Sequence, residues 1–130
     1  MKRSHWLLIL FVSYSLSGCS NKADFYIKNA SFSNREIATK ITIDDKVIMY
    51  DTLKYDSSEY GALLLQKELT EGNHRIEINL PGKAMSKVEN INIDRRKKFI
   101  FITILDNASA ENYRMGDLKI SISVLNKKPH

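Results

Sequence analysis

From residue 24 onward the dominant period of apolar and polar positions is two, the spacing of strands that bury one face. Asp24-Phe25-Tyr26-Ile27-Lys28 predicts a first strand. Ile37, Thr39, Ile41 and Ile43 fall on one face of a second. Asp44-Asp45 predicts a tight turn into Lys46-Val47-Ile48-Met49-Tyr50, because Asp tolerates the backbone conformations such turns need. The polar and aromatic stretch from Asp51 to Glu59 predicts a loop or a short edge strand, and Tyr60 to Leu69 a strand pairing with the next one along the chain, with a helical turn in its last half as the alternative.

The clearest predicted hairpin runs from Leu69 to Leu80. Gly72 stands where a short loop needs positive φ, and Ile76, Ile78 and Leu80 lie on one face beyond it. Pro81-Gly82 then stops the strand. Val88 to Ile93 alternates again, Arg95-Arg96-Lys97-Lys98 turns the chain, and Phe99 to Leu105 is apolar on both faces, which predicts a central strand buried between layers. A polar loop from Asp106 to Asp117 leads to Leu118-Lys119-Ile120-Ser121-Ile122-Ser123-Val124, once more alternating. Seven or eight short strands with turn signals between them predict an all-β fold, a single antiparallel β-sandwich over residues 24–125, with a polar tail at 126–130. Gly72-Asn73-His74-Arg75-Ile76 resembles the glycine, histidine, aliphatic hairpin of PEGA-like and other immunoglobulin- or transthyretin-like surface modules. That resemblance spans about a fifth of the chain and implies a sandwich but no activity.

The start of the chain follows a different pattern. Lys2 and Arg3 precede the unbroken apolar run Trp6 to Val12, which continues to Leu16-Ser17-Gly18-Cys19. A secretory leader needs roughly 7–15 apolar residues followed by small ones. A bilayer-spanning helix needs about 20, and Ser20-Asn21-Lys22 arrives too soon for that. Leu16-Ser17-Gly18-Cys19 resembles the bacterial lipobox. The resemblance implies a signal peptide over residues 1–18, cleavage before Cys19 and attachment of acyl chains to that cysteine. Residues 19–23 are then a lipidated N-terminus with a short tether. Two or more chains anchor stably, since each buried methylene adds about 0.8 kcal/mol. By the same resemblance, Ser20 after the cysteine directs the protein to the outer membrane, where the cell has one, rather than retaining it at the inner one.

Charge and candidate chemistry narrow the picture further. Losing Lys2 and Arg3 with the leader lowers the formal charge from +5 to +3, a mild excess that does not point to nucleic acid. Cys19 is the only cysteine, so the domain makes no disulfide within itself. No cofactor loop and no catalytic constellation is evident. His74 lacks a partner nucleophile, His5 leaves with the leader and His130 lies in the tail, which excludes a multi-histidine metal site. Asp44, Asp45 and Asp51 lack the spacing of a calcium loop. Arg95, Arg96, Lys97 and Lys98, expected at a hairpin tip, read either as a grip for anions or lipid headgroups or as a solvated turn that discourages edge aggregation. Tyr50, Tyr55 and Tyr60 read either as recognition aromatics or as caps on the core. Asn29-Ala30-Ser31 and Asn107-Ala108-Ser109 match the N-glycosylation pattern, which is normally silent in a bacterial lipoprotein. The expected role is a non-enzymatic binding or assembly module of the cell envelope. Its partners would be the bilayer, through acylated Cys19, and another envelope protein. An inhibitor or immunity lipoprotein neutralising a toxin or hydrolase is the alternative, and an enzyme acting on envelope polymers a third.

Overall fold

A computed structural model describes residues 20–59, 63–107 and 116–127. The expected leader, Cys19 and Tyr60 lie outside the described residues. Eight strands are described: β1 Ser20–Asn29, β2 Glu36–Ile43, β3 Lys46–Lys54, β4 Leu63–Thr70, β5 Gly72–Leu80, β6 Met85–Ile93, β7 Lys98–Asp106 and β8 Leu118–Leu125. They form two four-stranded sheets, ordered β4-β1-β7-β8 and β3-β2-β5-β6. The fold is an all-β sandwich. Every strand pair is antiparallel except β1 with β7, which run parallel.

The period of two becomes the core directly. In β2 the alternate residues Ile37, Thr39, Ile41 and Ile43 are buried, as are His74, Ile76, Ile78 and Leu80 in β5. Phe25, Ile27, Ile100, Ile102 and Ile104 meet them from the first sheet. Each such side chain contributes roughly 1.5–3 kcal/mol relative to its exposed state, which is how the domain stands without a disulfide. β7 is a central strand as expected, between β1 and β8, but it is not buried between layers: with only two sheets, one of its faces lies in the core and the other faces outward. Its outward Phe101 stacks on Tyr26 of β1, with ring centroids 4.9 Å apart.

The Asp44-Asp45 turn is present, with φ of +50° and +67°, the two left-handed residues that a tight two-residue hairpin uses. The stop at Pro81 is also present, as a single 3-10 turn over Pro81–Lys83 that links β5 to β6. Three expectations need correction. The stretch Leu69 to Leu80 is not a hairpin: β4 pairs with β1, whereas β5 pairs with β2 and β6. Glu71 is the one residue between the two strands, too few for a hairpin loop, and Gly72 at φ +119° sends the chain across to the other sheet. The positive φ is present as expected, but it makes an inter-sheet corner. Second, residues 94–97 also cross between sheets, from β6 to β7, so the basic run is not a hairpin tip. Third, the expected tether at Ser20 to Lys22 is strand, with Ser20 opposite Thr70 and Lys22 opposite Glu68.

Candidate recognition site at the far end of the sandwich

Because β1 and β7 run parallel, the sandwich has a near end, where β1 begins, and a far end, where β1 stops at Asn29. Ten strand residues separate them by roughly 33 Å. The loop of residues 30–35 caps the far end, and its sequence explains its shape. Asn29 is fully buried, and its amide nitrogen donates to the carbonyls of Asn34 at 2.7 Å and Leu53 at 3.2 Å. Its side-chain oxygen accepts the Ser31 N–H at 2.9 Å, the local turn that Asn favours. The Ser31 hydroxyl donates to Asp106 at 2.6 Å and accepts the Asn34 N–H. The Phe32 N–H donates to the other Asp106 oxygen at 3.0 Å, and the Asn34 amide reaches the Gly116 carbonyl. The Ser31 hydroxyl, aided by the Phe32 N–H, holds the Asp106 carboxyl below the usual carboxylate range.

This network presents one apolar side chain to solvent. Phe32 is 69% exposed, the largest exposure among the large apolar residues described. Its ring lies 4.9 Å from that of Tyr55, and the Arg35 guanidinium sits 5.0 Å from the Tyr55 ring centre. Beside Tyr55 a cavity of about 410 Å³ opens between the sheets, lined by Ile27, Asn29, Leu53, Lys54 and Asp56 among others. A knob of phenylalanine with a fixed cation beside it offers rigid contact area at little entropic cost, the usual makings of a binding hot spot. The fully buried amide of Asn29 also rules out glycosylation of that residue in the folded domain.

Of the expected tyrosine group, the two described members, Tyr50 and Tyr55, are not brought together. Tyr55 belongs to the far-end cluster. Tyr50 stands apart on the edge strand β3, 63% exposed, so it does not cap the core. The basic run sits at the near end, each cation beside a carboxylate: Arg95 with Glu71 at 3.8 Å, Arg96 with Asp94 at 2.9 Å, Lys97 with Asp24 at 3.2 Å and Lys98 with Asp94 at 3.2 Å. Lys98 is buried in β7 and also donates to Asn126, so it does not project into solvent as a solvated turn requires. Asp94, held by Arg96, is strongly depressed in pKa. Among the described residues no group of three or more His, Cys, Asp or Glu side chains is placed to hold a metal ion.

Phe32 and Arg35 do not stand out in the sequence, since one aromatic among Asn and Ser looks like an ordinary turn. The signal available was Asn29-Ala30-Ser31-Phe32-Ser33-Asn34, an aromatic inside residues that build turns by side-chain hydrogen bonds. No family model, curated protein or solved structure matches this chain.

Proposed function

We propose that the mature chain is a lipid-anchored, non-enzymatic binding or assembly module of the bacterial envelope. Cys19 holds it to the bilayer at the near end, and the Phe32 loop meets a partner protein at the far end. The observation that carries this reading is the exposure of Phe32 on a loop fastened by hydrogen bonds to the Asn29 amide, to Asp106 of β7 and to the residue 116 carbonyl. Solvent exposure of a large apolar ring is unfavourable in an isolated domain, and the surrounding network keeps it from folding inward. Ser20 already belongs to β1, so an acylated Cys19 would set the sandwich directly on the headgroups, with the Phe32 loop roughly 33 Å away.

Crosslinked pull-down of the acylated protein from its own cells, beside the Phe32→Ser variant, tests this. Wild type should retain a discrete envelope protein that the variant loses while keeping its fold. Equal capture by both would overturn the assignment of the far end. Capture of a secreted toxin or hydrolase would turn the reading to inhibition. Replacing Cys19 with Ser should move the protein out of the membrane fraction, and continued anchoring would remove the lipoprotein reading.

A further inference from the structure

The near end carries a second constructed feature, and it stands whether or not Cys19 is acylated. His74 is the first inward-facing residue of β5 after the Gly72 corner and is 8% exposed. Its Nδ1 lies 2.6 Å from an Asp44 carboxylate oxygen, and its Nε2 lies 2.6 Å from the Thr70 carbonyl oxygen. Asp44 belongs to the β2–β3 turn of one sheet, and Thr70 ends β4 in the other. The ring therefore bridges the two sheets. The second Asp44 oxygen accepts the Arg75 N–H at 2.9 Å, which fixes the carboxylate in place.

Both partners of the ring are pure acceptors. A neutral imidazole has one N–H and one lone pair, so it would set that lone pair against an oxygen. The doubly protonated ring satisfies both contacts. A substitute partner is at hand for the neutral form: the Thr70 hydroxyl lies 3.5 Å from Nε2 and can donate to it. Of the other charges on the elements packed here, Lys46 of the turn and Lys67 and Glu68 of β4 line the cleft beside the ring, and Asp45, Glu71 and Arg75 are the chain neighbours of Asp44, Thr70 and His74. Arg75 spends its guanidinium on Asp45 and Glu77, and β6 brings only Ile91 opposite His74. A cleft of about 360 Å³ runs alongside, floored by Ile43, Ile48 and Leu69.

The geometry points to His74 as a proton-dependent clasp: with two protons it ties the sheets together at the near end, and on losing one it drops the Thr70 carbonyl for the Thr70 hydroxyl and loosens the seam beside the cleft. Burial disfavours the charged ring, but the Thr70 carbonyl and the Asp44 carboxylate outweigh it and hold the pKa above its ordinary value. The clasp is thus closed at mildly acidic pH and opens as pH rises through the folded value.

Ring-nitrogen NMR of the full chain in detergent, from about pH 5 to about pH 9, follows the proton directly. In the same samples, exchange of the Arg75 amide, corrected for its intrinsic pH dependence, follows the clasp. His74 should titrate above its ordinary value, and Arg75 protection should fall about tenfold across that titration. Asp44→Asn should lower the His74 pKa by removing the paired charge. Thr70→Val keeps the carbonyl but removes the substitute donor, so it should raise the pKa further. A histidine that merely packs in these contacts would show the same two shifts with flat Arg75 protection, so the fall in protection is what separates the clasp from it. Titration at or below 6.5, shifts of the same sign in both variants, or flat Arg75 protection would each overturn the proposal.

Discussion

The two ends of the sandwich are held by different chemistry. At the near end the chain crossings are tied by charge: His74 with Asp44, Lys98 with Asp94, Lys97 with Asp24 and Arg95 with Glu71. At the far end amides and hydroxyls do the same work around Asn29 and Ser31, joined by the Asp106 carboxylate. Arg95 and Glu71 are both exposed and the other three pairs each set one buried partner against one open to solvent, so protons and salt reach them, whereas a buried amide network is costly to break and fixes geometry. The near end can therefore respond to its surroundings. The far end holds Phe32 in one place.

Removing the centre of the far network should be the largest effect. Asn29→Ala strands the Asn34 and Leu53 carbonyls and the Ser31 N–H, and should cost about 3 kcal/mol in urea unfolding. A loss below about 0.5 kcal/mol, the scale of an ordinary surface change, would mean that the network does not hold the loop.

The pH dependence of stability comes next, and its alkaline arm belongs to the near end. His74 has a raised folded pKa, so its contribution is complete below the unfolded value of 6.5 and disappears as pH rises through the folded value. Unfolding temperatures should fall over that window in wild type. Asp44→Asn should move the fall to lower pH, and a variant of Phe32 should leave it unchanged. The acid arm belongs to both ends. Asp44, held mainly by the Arg75 N–H, Asp94, held by Arg96, and Asp106, held by Ser31, all have lowered pKa values. Their contributions are present above the ordinary value of 3.8 and disappear as pH falls through the folded values.

The smallest effect should come from Arg95, whose side chain is 95% exposed and 3.8 Å from Glu71. Arg95→Gln should change stability by less than about 0.5 kcal/mol, and by less again in high salt. A larger loss would mean that the near-end ion pairs act as one network.

Strand positions and burial could be read from the chain because alternation encodes both at once. Ile37 to Ile43 and Ile76 to Leu80 became core faces, and Asp44-Asp45 became the expected turn. Partner choice could not be read in this way. Leu69 and Ile76 would face one core whether β4 and β5 share a sheet or face each other, so periodicity does not separate a hairpin from a crossing. The same blindness placed Arg95 to Lys98 on a hairpin tip and hid their carboxylates, because Asp24 and Glu71 are distant in sequence. Of the aromatic and cationic far-end cluster only Tyr55 stands out in the sequence. Phe32 and Arg35 gained meaning only once Asn29, Leu53 and Asp106 met around their loop.

The central claim is that the far end meets the partner and the near end does not. A photo-crosslinking residue placed at position 32, and separately at position 95, in otherwise intact protein in its own cells tests it most directly. Position 32 should give one discrete protein adduct, while position 95 should give none or only lipid. A protein adduct at 95 with none at 32 would contradict the account.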